Sequence, residues 1–215
     1  MNGWRWSRLD FAPGILFVVL FVIAFGFAGE VGETAEEVTE FYADSGNRAK
    51  AIAGFFVFLA AMLAFLRFLG ALRAALAAAE PAPGRMTPLA FGSGLVSATL
   101  LIGAISTFVA PAAADQEGFT FDANAANMIT SSGYAMFVAS VVVGALFVAV
   151  VSSVALRTAV LPRWLAWLGL PVAVVMLFSI FFFPLFVFLA RVLAVSAVML
   201  LSAWRPARPA RPPAG

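Results

Sequence analysis

The chain has 215 residues, of which 63% are hydrophobic and only 11% charged, where soluble domains sit near ~45–50% and ~25%. That balance excludes an ordinary water-soluble domain. The formal net charge is +2 and there is no Cys and no His, which removes disulfides, thiolate and imidazole metal ligands, Cys nucleophiles, His general bases and axial haem ligands together.

Apolar residues fall in six blocks at 11–28, 51–69, 88–110, 133–154, 164–183 and 185–204. Each is near the ~20 residues a helix needs to cross ~30 Å of hydrocarbon. The expected fold is therefore all-α, a polytopic transmembrane helical bundle of six spans forming one domain over 1–204, with a disordered Arg/Pro tail over 205–215. A single helix through the last two blocks would be ~60 Å long, so Pro184 is expected to mark a hairpin turn. At the N-terminus, Arg5 and Arg8 followed by an apolar run ending Gly26-Phe27-Ala28 also fit a signal peptide, whose removal would leave five spans. The 18-residue length of the run and the lack of an A-x-A site favour a retained first helix.

Basic residues set the orientation. Arg5, Arg8, Arg67, Arg73, Arg85, Arg157, Arg163, Arg205, Arg208 and Arg211 all flank connections on one side, against Arg48 and Lys50 on the other. The excess of positive charge assigns the first side to the cytoplasm, with both termini inside. Glu30, Glu33, Glu36, Glu37, Glu40, Asp44, Asp115, Glu117 and Asp122 then fall in the two outer connections.

In the first of these connections, Glu33, Glu36, Glu37, Glu40 and Asp44 are spaced i, i+3, i+4, i+7, i+11 and make one acidic stripe, with Val38, Phe41 and Tyr42 opposite. Thr34 and Glu37 match the S/T-x-x-E capping box. A short amphipathic helix over 34–44 is expected on the outer face, apolar side down, with Gly46 as a helix stop before Asn47 opens the second span. The stripe is read as a solvated face, because a calcium site needs ligands converging from a sharply turning loop. In the second outer connection, 111–130, Asp122 is the expected N-cap of a helix starting near Ala123. Phe119 and Phe121 there are expected to cover the bundle.

Within the spans, no Asp, Glu, Asn or Gln falls in mid-membrane, so the carboxylate relay common to proton pumps and sodium-coupled carriers is missing. Arg67 lies near the cytoplasmic interface, where it can snorkel together with Arg73. Arg191 is the one charge placed well inside the bilayer. It is expected to snorkel outward or to pair with Glu40, Asp44 or Asp122, fixing helix position, or else to anchor an anionic ligand. Ser93-xxx-Ser97, Gly94-xxx-Ala98, Gly103-xxx-Thr107 and Ser140-xxx-Gly144 are small-xxx-small patterns that bring the third and fourth spans together.

On the cytoplasmic side, Arg163 with Trp164 and Trp167 forms an interfacial anchor. The arginines of the tail repeat every three residues, so in polyproline II they align on one edge, open to anionic lipid.

The stretches Phe41-Tyr42-Ala43-Asp44 with Asn47-Arg48, Phe65-Leu66-Arg67-Phe68-Leu69 with Leu72-Arg73, and Ala155-Leu156-Arg157-Thr158 through Leu161-Pro162-Arg163-Trp164-Leu165-Ala166-Trp167-Leu168-Gly169 resemble a group of uncharacterised bacterial multi-pass membrane proteins. The resemblance implies the six-helix architecture and the bacterial inner membrane, and it adds no catalytic residue.

The expected function is that of a non-catalytic integral membrane protein, an accessory, scaffold or lipid-interacting bundle without cofactor or metal. Its expected partners are membrane lipids and, through the small-residue helix faces, a protein or a second copy of the chain, with no nucleic acid. The alternative is a carrier or binder of a small apolar or weakly anionic molecule in a pocket near Arg191 on the outer half. An intramembrane enzyme is the weakest reading, because no His, Cys or embedded acid is present to activate a Ser or Thr.

Overall fold

The structure, a computed structural model, describes residues 11–27, 34–114, 123–178 and 183–203. Arg5, Arg8, Glu30, Glu33, Asp115, Glu117, Phe119, Phe121, Asp122 and the 205–215 tail lie outside the described residues. What is described is helical, in the order α1 (Ala12–Gly26), α2 (Ala35–Ala43), α3 (Ser45–Ala79), α4 (Met86–Ala114), α5 (Ala123–Thr158), α6 (Arg163–Met176) and α7 (Phe183–Ala203).

Four of these are long and apolar enough to cross a membrane: Ser45–Ala79, Met86–Ala113, Asn127–Thr158 and Phe183–Leu201. Phe56, Leu63, Trp167, Phe178 and Leu201 lie exposed on the outer surface of the bundle, and so much large apolar surface is compatible with a lipid surround and not with water. The expected first and fifth spans form shorter apolar helices, 15 residues in α1 and 14 in α6, or about 22 and 21 Å of rise.

The boundaries differ from expectation where local hydrogen bonding outweighs hydropathy. α3 begins at Ser45, not near residue 51, because the Asp44 carboxylate accepts from Gly46 N at 2.6 Å and Asn47 N at 3.0 Å and so caps its N-terminus. Asp44 thus ends α2 and starts α3, and Gly46 lies inside the first turn instead of serving as a stop. α4 carries Pro111 inside and continues to Ala114. α5 starts at Ala123, ten residues before the apolar block and where an N-cap at Asp122 would begin it. α6 closes at Met176, with Leu177 N donating to Val174 O and Phe178 N to Val175 O. The end of the helix therefore precedes Pro184, which sits in the first turn of α7, where its missing N–H interrupts no helical bond.

Apart from the small α2, the helices close into a ring in chain order: α1 packs on α3, α3 on α4, α4 on α5, α5 on α6, α6 on α7, and α7 back on α1. Phe65 of α3 is the hub. Its ring centroid lies 4.8 Å from Phe17 of α1, 6.4 Å from Phe147 of α5 and 5.9 Å from Phe188 of α7, distances at which tilted and edge-on aromatic contacts are favourable. α1 contributes the buried Phe17 and Phe21 to this core, and its N-cap residue Phe11 joins them.

The most extensive contact is between α4 and α5, as the small-residue spacing predicts. Ser97 Oγ donates to Ser140 O and Ser140 Oγ donates to Ser97 O, both at 2.8 Å. One end of the same seam closes where a side chain at Gly133 would overlap Thr107 and meet the Ala104 carbonyl at 3.1 Å.

Candidate functional site

Arg191 is the buried charge among the described residues, 5% exposed in the ninth position of α7. Its Nη1 donates to the main-chain carbonyl of Leu165 in α6 at 2.6 Å, and its Nη2 to Ser152 Oγ in α5 at 3.3 Å. The guanidinium reaches these groups because Gly169 of α6 faces it: a Cβ there would overlap Ser152 Oγ and stand 2.8 Å from Arg191 Nη2. One side chain thereby ties α7 to its neighbour α6 and, beyond it, to α5, at the level of the third residue of α6.

The pairing of Arg191 with Glu40 or Asp44 is not formed. Ser152 lies 29 residues along α5 from Ala123, about 44 Å of helix, whereas α2 packs near the opposite ends of α4 and α5. Helix direction alone separates them. Glu40 is exposed on α2, and Asp44 caps α3. Charged donors are satisfied here by a carbonyl and a hydroxyl, the groups that helices in a bundle can offer without burying a second charge.

A narrow interstice runs beside the Arg191 stem, lined by Phe68, Leu72, Phe147, Phe188 and Val195 among others. Its walls are apolar and its free room is little more than a water molecule. The guanidinium is engaged by Leu165 O and Ser152 Oγ.

The acidic stripe divides by role. Glu37 closes the capping box, accepting from Thr34 N at 3.0 Å while Thr34 Oγ1 accepts from Glu37 N at 3.2 Å. Glu37 and Glu40 face solvent, and Glu36 lies in the same helix. Opposite them, Tyr42 is buried against Ala112 of α4 beside Phe41, Ala51 and Ile52, and its hydroxyl donates to Phe108 O at 3.4 Å. Burial pushes the Tyr42 phenol above its ordinary value. The amphipathic helix is thus as expected, with its apolar side down on the bundle.

Two polar devices left no obvious trace in the sequence. Glu80, the C-cap of α3, turns its carboxylate onto the start of α4, accepting from Met86 N and Thr87 N at 2.9 Å each and from Thr87 Oγ1 at 2.6 Å. These bonds hold its carboxyl below the ordinary range, the Thr87 hydroxyl contributing most. Ser152 and the Leu165 carbonyl were likewise invisible as partners of Arg191. A glutamate seven residues before a threonine is one signal for the first; a main-chain carbonyl has no signal at all.

Fold and site together define a multi-pass α-helical membrane protein with a buried arginine tying three helices. Comparison with known protein families, curated proteins and solved structures finds no match.

Proposed function

We propose that this chain is a non-catalytic membrane bundle, an accessory or scaffold protein that works through its lipid- and partner-facing surface and not through an internal site. The observation that carries the reading is the engagement of Arg191: its guanidinium is turned onto Leu165 O and Ser152 Oγ, and the space beside it is apolar and of water size. A carrier needs room for its cargo beside the group that recognises it. In the same reading the chain lies in a bacterial inner membrane with both ends cytoplasmic and is one of the bacterial multi-pass membrane proteins it resembles.

Mass spectrometry of the protein extracted with native lipid tests this. Lipid or protein that co-purifies equally with the wild-type chain and Arg191→Gln supports it; a stoichiometric small organic anion lost in Arg191→Gln would establish the carrier reading instead. Reporter fusions at Gly215 and Gly118 should read inside and outside respectively, and the reverse pattern would refute the orientation.

A further inference from the structure

Arg67, Gly70 and Arg73 follow one another at intervals of three on α3, stepping round the helix by ~60° and along it by ~4.5 Å each time. All three are exposed. The surface between the two arginines is open, since a Cβ built at Gly70 would meet nothing within 4 Å. Arg73 is steered by α4, with its guanidinium carbon 5.0 Å from the centroid of the Phe91 ring, a distance at which a cation is held over an aromatic face. Among the described residues neither arginine has a carboxylate partner.

Position makes that arrangement informative. Outward from Arg67 the exposed face of α3 reads Leu63, Ala60, Phe56, Ala53 and then Lys50. Counting from Lys50, Arg67 is about 25 Å and Arg73 about 34 Å along the helix, so the pair straddles the far edge of ~30 Å of hydrocarbon. A guanidinium at that depth extends its stem to the headgroup layer, and the anion that every glycerophospholipid offers there is its phosphate.

We propose that Arg67 and Arg73, across the bare surface of Gly70 and with Phe91 holding the second arginine, form a binding site for the phosphate of an anionic glycerophospholipid in the adjoining leaflet. The two guanidiniums bracket the phosphodiester, and the acyl chains run outward along the Leu63 and Phe56 face. A zwitterionic lipid offers the same phosphate but carries its own cation, which the arginines repel. The inference rests on the reading of the chain as a lipid-facing membrane bundle, and it names the lipid class and the residues.

The test is native mass spectrometry of the full chain released from nanodiscs of equimolar phosphatidylglycerol and phosphatidylcholine. The wild-type protein should retain phosphatidylglycerol preferentially. Arg67→Gln with Arg73→Gln should reduce the preference about fivefold per arginine, the equivalent of ~1 kcal/mol each near an anionic surface. Lys50→Gln, at the other interface, should leave it unchanged. Gly70→Leu keeps every charge and puts its bulk on the open surface, where its Cβ meets nothing within 4 Å, so it should fold and still lose the preference. Unchanged preference in the double variant or in Gly70→Leu would overturn the site, as would inorganic phosphate binding without lipid preference. Failure of the chain to enter nanodiscs at all would instead overturn the membrane reading on which the site rests.

Discussion

Ser97 of α4 and Ser140 of α5 exchange hydrogen bonds, each hydroxyl donating at 2.8 Å to the other residue's main-chain carbonyl. Because each acceptor is backbone, truncating one serine leaves the other's bond in place. Ser97→Ala and Ser140→Ala should therefore each cost about 0.6 kcal/mol and at most ~1.7 kcal/mol, the range for hydrogen bonds between membrane helices. A double-mutant cycle should show coupling under ~0.5 kcal/mol. Strong coupling would mean that the hydroxyl pair, 3.4 Å apart, carries the interaction.

Gly169→Ala should destabilise the bundle by about 1–3 kcal/mol, the usual cost of overpacking, because the new methyl overlaps Ser152 Oγ and crowds Arg191 Nη2. Combining it with Ser152→Ala should recover part of the loss, since the Ser152 Cβ would stand 3.0 Å away. Unfolding in detergent measured for the single and double variants checks both statements. Equal stability of Gly169→Ala and the wild type would show that α6 does not hold this approach to α5 and α7.

The Glu80 clip makes the α3–α4 connection sensitive to acid. Its carboxyl is held below the ordinary value in the folded chain, so its stabilisation is present above the unfolded carboxylate range and is lost as pH falls through the lowered value. Proteolysis in the 80–85 connection should therefore accelerate on acidification. Glu80→Gln should be cut faster at neutral pH and show a flatter pH profile. Thr87→Val removes the largest contribution and should shift the profile of the wild type upward in pH.

Ala159, just after α5, has φ of 55° while its N–H donates to Ala155 O at 2.9 Å. This is the left-handed position at which helices favour glycine, because a Cβ is strained there. Ala159→Gly should stabilise the chain by up to ~1 kcal/mol, and Ala159→Val should destabilise it. Thermal unfolding of the three forms decides the order.

The sequence by itself determined the solvent of this protein and most of its local starts. Hydropathy and the scarcity of charge specify lipid, the Thr34 to Glu37 spacing specifies the start of α2, and small residues at intervals of four specify the α4–α5 seam. These follow from periods and neighbours along one helix. The partners of Arg191 do not, because Leu165 and Ser152 are 26 and 39 residues away in sequence and the first contributes only a carbonyl, which every residue possesses. The cost of burying a charge said that Arg191 must be satisfied; the ring closure of α5, α6 and α7 decided by what. Hydropathy likewise found the last two apolar blocks without placing the end of α6 at Met176, since apolarity sets how long a segment can remain in lipid and not where its helical hydrogen bonding stops.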